Sequence, residues 1–528
     1  MSSAYSLKSF WISLGVLFLV TVGYYCNVLL KTDGHYVYFL DDAYIHLAIA
    51  KNFAFHDVWG VTPYQFSSTS SAPLFTLLIS YLIEIFGNSD QLPLYFNIVF
   101  GIGIVYFLNK YYSDFLDKTQ QLVLATVFTL FFAVLHMQIL SGMEHVFQVF
   151  LFVINIYCFQ NLEKNKKFLL GFYLSIFLMG TVRFESMFYF VILAFVLALI
   201  RKWRMSVAVL IFGFIPIAIF CYLNYQQNGF LFPNSVLVKG TKLSLDSTFF
   251  LQLKKIVFDN FLLNISFYKI GFFPILICLY FIYIDFKTKK WREVIKNNFL
   301  LIVLLLVMIC HAMFADLKGS FRYEAYILVG FSMALIPKLK NFFIDFKTFI
   351  KNERFLSVLV LMNVFLLFYK LWSAHLVLND GGKNIYEQQM QSAKFLHTYY
   401  STSKVVANDI GAITYYTDIH LMDIAGLGSV ETIVFNENKK TFDDQFESFL
   451  TEYCDKNQYD IAVVYESWLQ GHVPKNWRKA ATLKIKDKIT AAQGKVSIYS
   501  IDTNNLQSLK SNIKQFNWNK NIQVTILN

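Results

Sequence analysis

Apolar stretches long enough to cross a bilayer recur almost without pause from Phe10 to Trp372 of this 528-residue chain. A helix needs roughly 17 to 25 such residues to span the hydrocarbon core, so the pattern commits most of the chain to lipid. Composition agrees where it decides something: 15% of the residues are charged, against about 25% in soluble domains. Apolar spans are expected near 10–30, 92–109, 121–140, 146–160, 167–182, 184–200, 205–224, 267–285, 298–315, 323–337 and 355–375. The first is too long for a signal-peptide core and has no cleavage site, so it is expected to stay in the protein.

One further apolar run, Ala72 to Phe86, decides the topology, because counting it as a span reverses the side of everything after it. The segments around Lys110 and Lys118, Lys164 to Lys167, Arg201 to Arg204, Lys287 to Lys296, and Lys338 to Arg354 hold 18 basic residues. All five share one side with Lys8 only if Ala72–Phe86 does not cross, and the positive-inside rule favours that solution. The expectation is therefore an all-α polytopic domain, 1–375, with about eleven transmembrane helices and a juxtamembrane or re-entrant helix in the first outer loop. A small extracytoplasmic α/β domain, 376–528, follows it.

The net charge of +11 has the same origin. From Leu376 onward 16 basic residues balance 16 acidic ones, so the excess, 30 against 19, lies entirely in the apolar part. A basic excess flanking apolar spans argues against nucleic acid as a partner. Of the six cysteines only Cys454 falls in the polar tail, which excludes an internal disulfide there, and no Cys/His cluster points to zinc. The tail alternates an amphipathic stretch, Tyr386–Tyr400, with strand-like runs at Lys404–Asn408, Ile461–Tyr465, Ala481–Ile485 and Val496–Ile501. Its last twenty or so residues, rich in Asn, Lys and Gln, are expected to be loosely held.

Residues able to do chemistry gather on the outer side. Asp41 and Asp42 stand directly after the first span, in Phe-Leu-Asp-Asp-Ala-Tyr-Ile-His (39–46). Adjacent carboxyls at a membrane surface repel one another, which can raise one of them into the range of a general base. Equally, Asp41 can cap, and Asp42 open, a helix running to Phe55. Glu144 and His145 occupy a tight turn, Ser-Gly-Met-Glu-His (141–145), and Arg183 and Glu185 occupy another, Thr-Val-Arg-Phe-Glu (181–185). Ionisable groups at such depth are functional candidates; the alternative is a structural ion pair between Arg183 and Glu185, or with Glu144. Asn234 and Lys239 lie in Pro-Asn-Ser-Val-Leu-Val-Lys (233–239), and Arg322 in Gly-Ser-Phe-Arg-Tyr (319–323). Lys239 and Arg322 suit a lipid phosphate, or else snorkel to the interface. The segment Asn-Asp-Ile-Gly-Ala-Ile (408–413) lacks the glycine spacing of a dinucleotide site.

Taken in order, these motifs resemble the C class of integral-membrane glycosyltransferases (GT-C), which use polyprenyl-phosphate sugars. The resemblance runs from Asp-Asp-Ala-Tyr-Ile (41–45) and the Ser/Thr-rich approach to Pro73, through Ser-Gly-Met-Glu, Arg-Phe-Glu and Pro-Asn-Ser with Lys239, to Arg322. In the tail, Asp-Ile-Gly-Ala-Ile-Thr-Tyr-Tyr (409–416) and Met-Asp-Ile-Ala-Gly-Leu (422–427) resemble the outer domain of bacterial members. The branch most similar holds the arabinofuranosyltransferases. The chain departs from its relatives at Phe184, Ser235 and Ser70–Pro73.

The resemblance implies transfer of an arabinofuranose-like pentose or a hexose from a polyprenyl-phosphate donor to an envelope glycan, a lipid or a pilin-like protein. The reaction takes place on the outer face of a bacterial inner membrane. Asp41 or Asp42 is the implied base, with Lys239, Arg322 and Arg183 on the donor phosphate and Glu144, Glu185, His145 and Asn234 orienting them or the acceptor. Protein cations could suffice for a monophosphate leaving group, so no cofactor is implied for certain, and a divalent cation is left open. The alternatives are a lipid-linked oligosaccharide transferase or ligase, and a transporter or flippase. A transporter would place its ionisable residues near the bilayer middle rather than at one face.

Overall fold

The computed structural model describes residues 2–240, 245–315, 317, 321–436 and 442–527, and at 2–5, 239 and 436 the backbone alone. It is mostly helical, with one small sheet in the C-terminal part. Two compact units emerge: residues 1–23, 94–220 and 240–375 form the first, and residues 24–93, 221–239 and 376–528 form the second.

Among the described residues, four helices are long and apolar enough to cross a membrane: Ser6–Lys31, Leu92–Tyr112, Trp203–Asn228 and Arg354–Tyr399. Two bent pairs, Phe249–Ile270 with Phe272–Thr288 (94°) and Trp291–Asn297 with Phe299–Phe314 (83°), bring the number to six if each is one span. The expected spans at 146–160, 184–200 and 323–337 are helices of 16, 14 and 14 residues. At 1.5 Å per residue these reach about 21 to 24 Å, short of a ~30 Å hydrocarbon core. They begin at Glu144, Glu185 and Glu324, where buried charge interrupts the apolar pattern. The run 121–140 divides into Thr119–Phe132 and Leu135–Leu140, because Val134 between them takes a left-handed φ of 53°. Ala72–Phe86 becomes a helix from Pro73, whose fixed φ suits the first turn.

Within the second unit, the C-terminal sheet has the order β2-β1-β3-β5-β4-β6. Its strands are β1 (Lys404–Ala407), β2 (His420–Asp423), β3 (Ile461–Val464), β4 (Arg478–Lys484), β5 (Lys495–Ser500) and β6 (Gln523–Ile526). β1 runs parallel to β2 and β3; the other pairs are antiparallel, with Ile461 opposite Ser500 and Leu483 opposite Val524. Helix Asp444–Asn457 starts on Asp443, whose carboxylate accepts the Phe446 N–H at 3.0 Å. The helix buries Phe446, Leu450 and Cys454, spaced four apart, against Val406, Met422, Ala462 and Val464 of the sheet. Each large apolar side chain buried here contributes about 1.5–3 kcal/mol. The tail is not loose: Leu506–Gln515 is helical, burying Leu509 and Ile513, and β6 completes the sheet edge.

Candidate active site

Asp41 and Asp42 open the helix Asp42–His56, as the capping alternative expects, but Asp41 makes no side-chain bond to its own helix. Its carboxylate instead accepts the N–H of Gly411 at 2.6 Å and of Ala412 at 2.9 Å, capping the short helix Gly411–Tyr416 of the C-terminal segment. A Cβ on Gly411 would overlap the Asp41 carbonyl oxygen, so only glycine permits the approach. Asp41 is buried and Asp42 half-buried.

A second carboxyl, Asp409, meets Asp41 within hydrogen-bonding reach. The other oxygen contacts of Asp409 come from the Tyr465 hydroxyl at 2.7 Å and the Gln389 amide at 2.5 Å. Burial, together with the neighbouring Asp409 carboxyl, pushes Asp41 well above the usual carboxylate range. Burial raises Asp409 as well. Two such groups oppose one another's ionisation. Nearby, burial pushes Asp423 up to about 6, although the N–H groups of Ala425 and Gly428 bond to it at 2.8 Å.

Ser67 to Ser70, in the Ser/Thr-rich approach to Pro73, are buried, and several of their hydroxyls are hydrogen-bonded. His46 Nδ1 lies 2.9 Å from Thr76 Oγ1 and 3.2 Å from Ser70 Oγ, and Thr69 donates to the Leu427 carbonyl at 2.7 Å. Asn234 ties the same loops together: its backbone N–H reaches the Ser68 carbonyl and its amide the Leu427 carbonyl, both at 3.0 Å. Lys239 ends the helix Asn234–Lys239, and its side chain lies outside the described residues.

In the first unit, Arg183 lies between two acids. Its Nε and Nη2 grip both Glu185 oxygens at 3.0 and 2.5 Å, and Nη1 meets Glu144 at 2.5 Å. The structure thus contains the ion pairs set out above as the structural alternative. The Tyr323 ring gathers the cluster: the Arg183 and Arg322 guanidinia stand 4.8 and 4.9 Å from its centroid. The His145 ring meets the Tyr323 ring edge-on at 5.6 Å. Arg322 Nη2 also donates to the Tyr323 hydroxyl at 3.1 Å. Next to it, fully buried Glu324 interacts with Lys370, whose ammonium lies 3.9 Å from the Phe132 ring centroid.

Several of these residues escaped the sequence reading. Asp409 entered that reading only as the first residue of the 409–416 motif, with no role given to it, and Tyr465 and Gln389 carry no local signature. Lys370 did give a signal, as a lone charge inside an apolar run. Among the described residues, three potential metal ligands converge at Asp444, Glu447 and His472, the first of them exposed. Asp41 presents a hydrogen-bonded carboxyl with both oxygens occupied.

Several solved structures are similar to the chain. The chain aligns with the crystal structure of ArnT from Cupriavidus metallidurans bound to undecaprenyl phosphate, over 93% of its own length and 98% of that chain, at a TM-score of 0.52 and 10% identity. The chain has the ArnT fold. A family model described as a domain of unknown function, DUF8728, matches residues 383–499, inside the C-terminal segment. No curated protein matches the sequence. An ArnT fold built on these apolar helices makes the chain a multi-pass membrane protein.

Proposed function

We propose that the protein is an integral-membrane glycosyltransferase that moves a monosaccharide, an arabinofuranose-like pentose or a hexose, from a polyprenyl-phosphate carrier to a glycan, lipid or protein of the cell envelope. One observation carries this reading: its fold extends over nearly the whole of ArnT, a protein whose crystal structure holds undecaprenyl phosphate. The acidic motif supplies the chemistry. An acceptor hydroxyl attacks the anomeric carbon, the bond to the phosphate oxygen breaks with inversion, and a carboxylate takes the hydroxyl proton. Half-buried Asp42 suits that role better than Asp41, both of whose oxygens accept backbone N–H groups. Arg322 and Lys239 are assigned to the departing phosphate, as positive charge at a site of developing negative charge. The two carboxylates already on Arg183 make it a holder of Glu144 and Glu185 more than a phosphate ligand. His145 and Asn234 keep orienting roles.

The test is sugar transfer by purified protein in detergent, offered radiolabelled polyprenyl-phosphate monosaccharides and envelope acceptor. Asp42→Asn should abolish transfer while donor binding persists, and Asp41→Asn should leave a weaker residue of it. A wild type that uses no monophosphate donor yet binds a lipid-linked oligosaccharide would overturn the reading in favour of an oligosaccharide transferase. In the proposed bacterial inner membrane the C-terminal domain faces the periplasm. Alkaline phosphatase should then be active when fused at Gly87 and silent at Tyr112; strong activity at Tyr112 would reverse the topology.

A further inference from the structure

The acidic motif and the C-terminal segment meet through one pair of carboxyls, Asp41 buried and Asp409 half-buried. We propose that Asp409 is a positioning residue for the motif: its carboxyl and that of Asp41 hold one proton between them, which keeps Asp41 seated on the Gly411 and Ala412 amides and presents Asp42 to the acceptor. Its catalytic consequence rests on the glycosyltransferase reading; the shared proton does not.

Four observations converge. The two carboxyls lie within hydrogen-bonding reach, Asp41 buried and Asp409 half-buried. Each is held on its other side by donors of its own: Gly411 and Ala412 for Asp41, Tyr465 and Gln389 for Asp409. Those donors are themselves fixed, since the Tyr465 hydroxyl also lies 2.7 Å from Gln388 Oε1 and its backbone N–H donates to Asn408 at 3.1 Å. Gly411 leaves no space between the elements, so Asp41 cannot withdraw from the contact without vacating the helix end. Two carboxylates so placed would repel strongly in a site of low dielectric, whereas a carboxyl and a carboxylate form a charge-assisted hydrogen bond.

The titratable groups facing the pair are Asp42 on the helix that Asp41 opens, Tyr44 one turn along it, Tyr465 after β3, and Asp423 at the end of β2. Two of these are phenols, Asp423 is an acid raised to about 6, and Asp42 is the proposed base. A pair holding a single negative charge opposes proton loss from Asp42 less than two adjacent charges would.

The sign of the pH effect follows. In the unfolded chain both carboxyls ionise near pH 4. The folded pair keeps one proton above that, so the folded state binds more protons and loses stability as pH rises through neutrality. Asp409→Asn places an amide N–H where the proton was and removes the dependence. The thermal midpoint of the purified full chain is measured from about pH 5 to about pH 8 for wild type, Asp409→Asn and Asp41→Asn, with sugar transfer assayed in parallel. The wild-type midpoint, relative to either variant, should fall steadily as pH rises. In Asp409→Asn, kcat should drop roughly 10- to 100-fold, as for a misplaced catalytic group, with KM for the donor unchanged, and Asp409→Glu should recover part of it.

Parallel profiles for wild type and both variants would overturn the shared proton. A shifted profile with unaltered kcat would overturn the positioning role. If Asp409→Asn does not fold, Asp41→Asn decides the first point by the same comparison. A wild type inert toward every donor sinks the glycosyltransferase reading alone, because the midpoint profiles are read without turnover.

Discussion

Gly411 has no room for a side chain because Asp41 fills it: a Cβ there would overlap the Asp41 carbonyl and press on its carboxylate, even as the Gly411 N–H bonds to that carboxylate at 2.6 Å. Gly411→Ala must therefore push the two segments apart. The expected cost is about 1–3 kcal/mol, typical of overpacking, together with a loss of sugar transfer comparable to that of Asp41→Asn. Thermal unfolding and transfer assays check both; an unchanged midpoint would mean that the neighbouring backbone yields.

Arg183 holds two acids through a planar fork, which a lysine cannot reproduce. Arg183→Lys is expected to lose at least one charge-assisted hydrogen bond, about 1.5–3 kcal/mol. Arg183→Ala should cost about 3–5 kcal/mol, because fully buried Glu144 would keep its charge without a counterion. Adding Glu144→Gln to Arg183→Ala should restore part of that stability, as read from the yield and midpoint of the detergent-solubilised protein.

Lys370 and Glu324 are both fully buried, each in surroundings that would otherwise be apolar. Removing either charge alone, by Lys370→Met or Glu324→Gln, is expected to cost about 3–5 kcal/mol, whereas the double substitution should cost much less. A double-mutant cycle measures the difference, and additive single effects would show that the two do not act as a pair.

Asp423, raised to about 6 by burial, releases its proton later in the folded protein than in the unfolded chain. Its contribution is whole below about pH 4 and is lost as pH rises through about 6. Asp423→Asn should flatten that part of the midpoint profile. The measurement is thermal unfolding from about pH 4 to about pH 7, and a variant as pH-sensitive as wild type would contradict it.

Much of the first unit was legible because apolar runs and single charges are local signals. Arg183, Glu185 and Glu144 are mutually paired, as one of the two sequence readings held. Four of the six strands also announced themselves through alternating or β-branched runs. What stayed hidden shares one physical cause. β2 is four residues of mixed character, His-Leu-Met-Asp, and it is a strand only because β1 offers it a parallel edge. Tyr323 became a hub, and Asp409 the partner of Asp41, through contacts between residues far apart in the chain. Local pattern fixes where helices start and where charge gathers; it carries no record of which distant carboxyl will face another.

The distance between Asp41 and its cap has a consequence in time. Asp41 is synthesised 370 residues before Gly411. At about 5–20 residues per second, roughly 20 to 70 seconds pass in which the motif has entered the membrane without the helix it will cap. During that interval the nascent chain carries two adjacent carboxyls that nothing yet fixes in place. A chain stalled or cut before residue 409 would lack the Gly411 and Ala412 amides that hold Asp41.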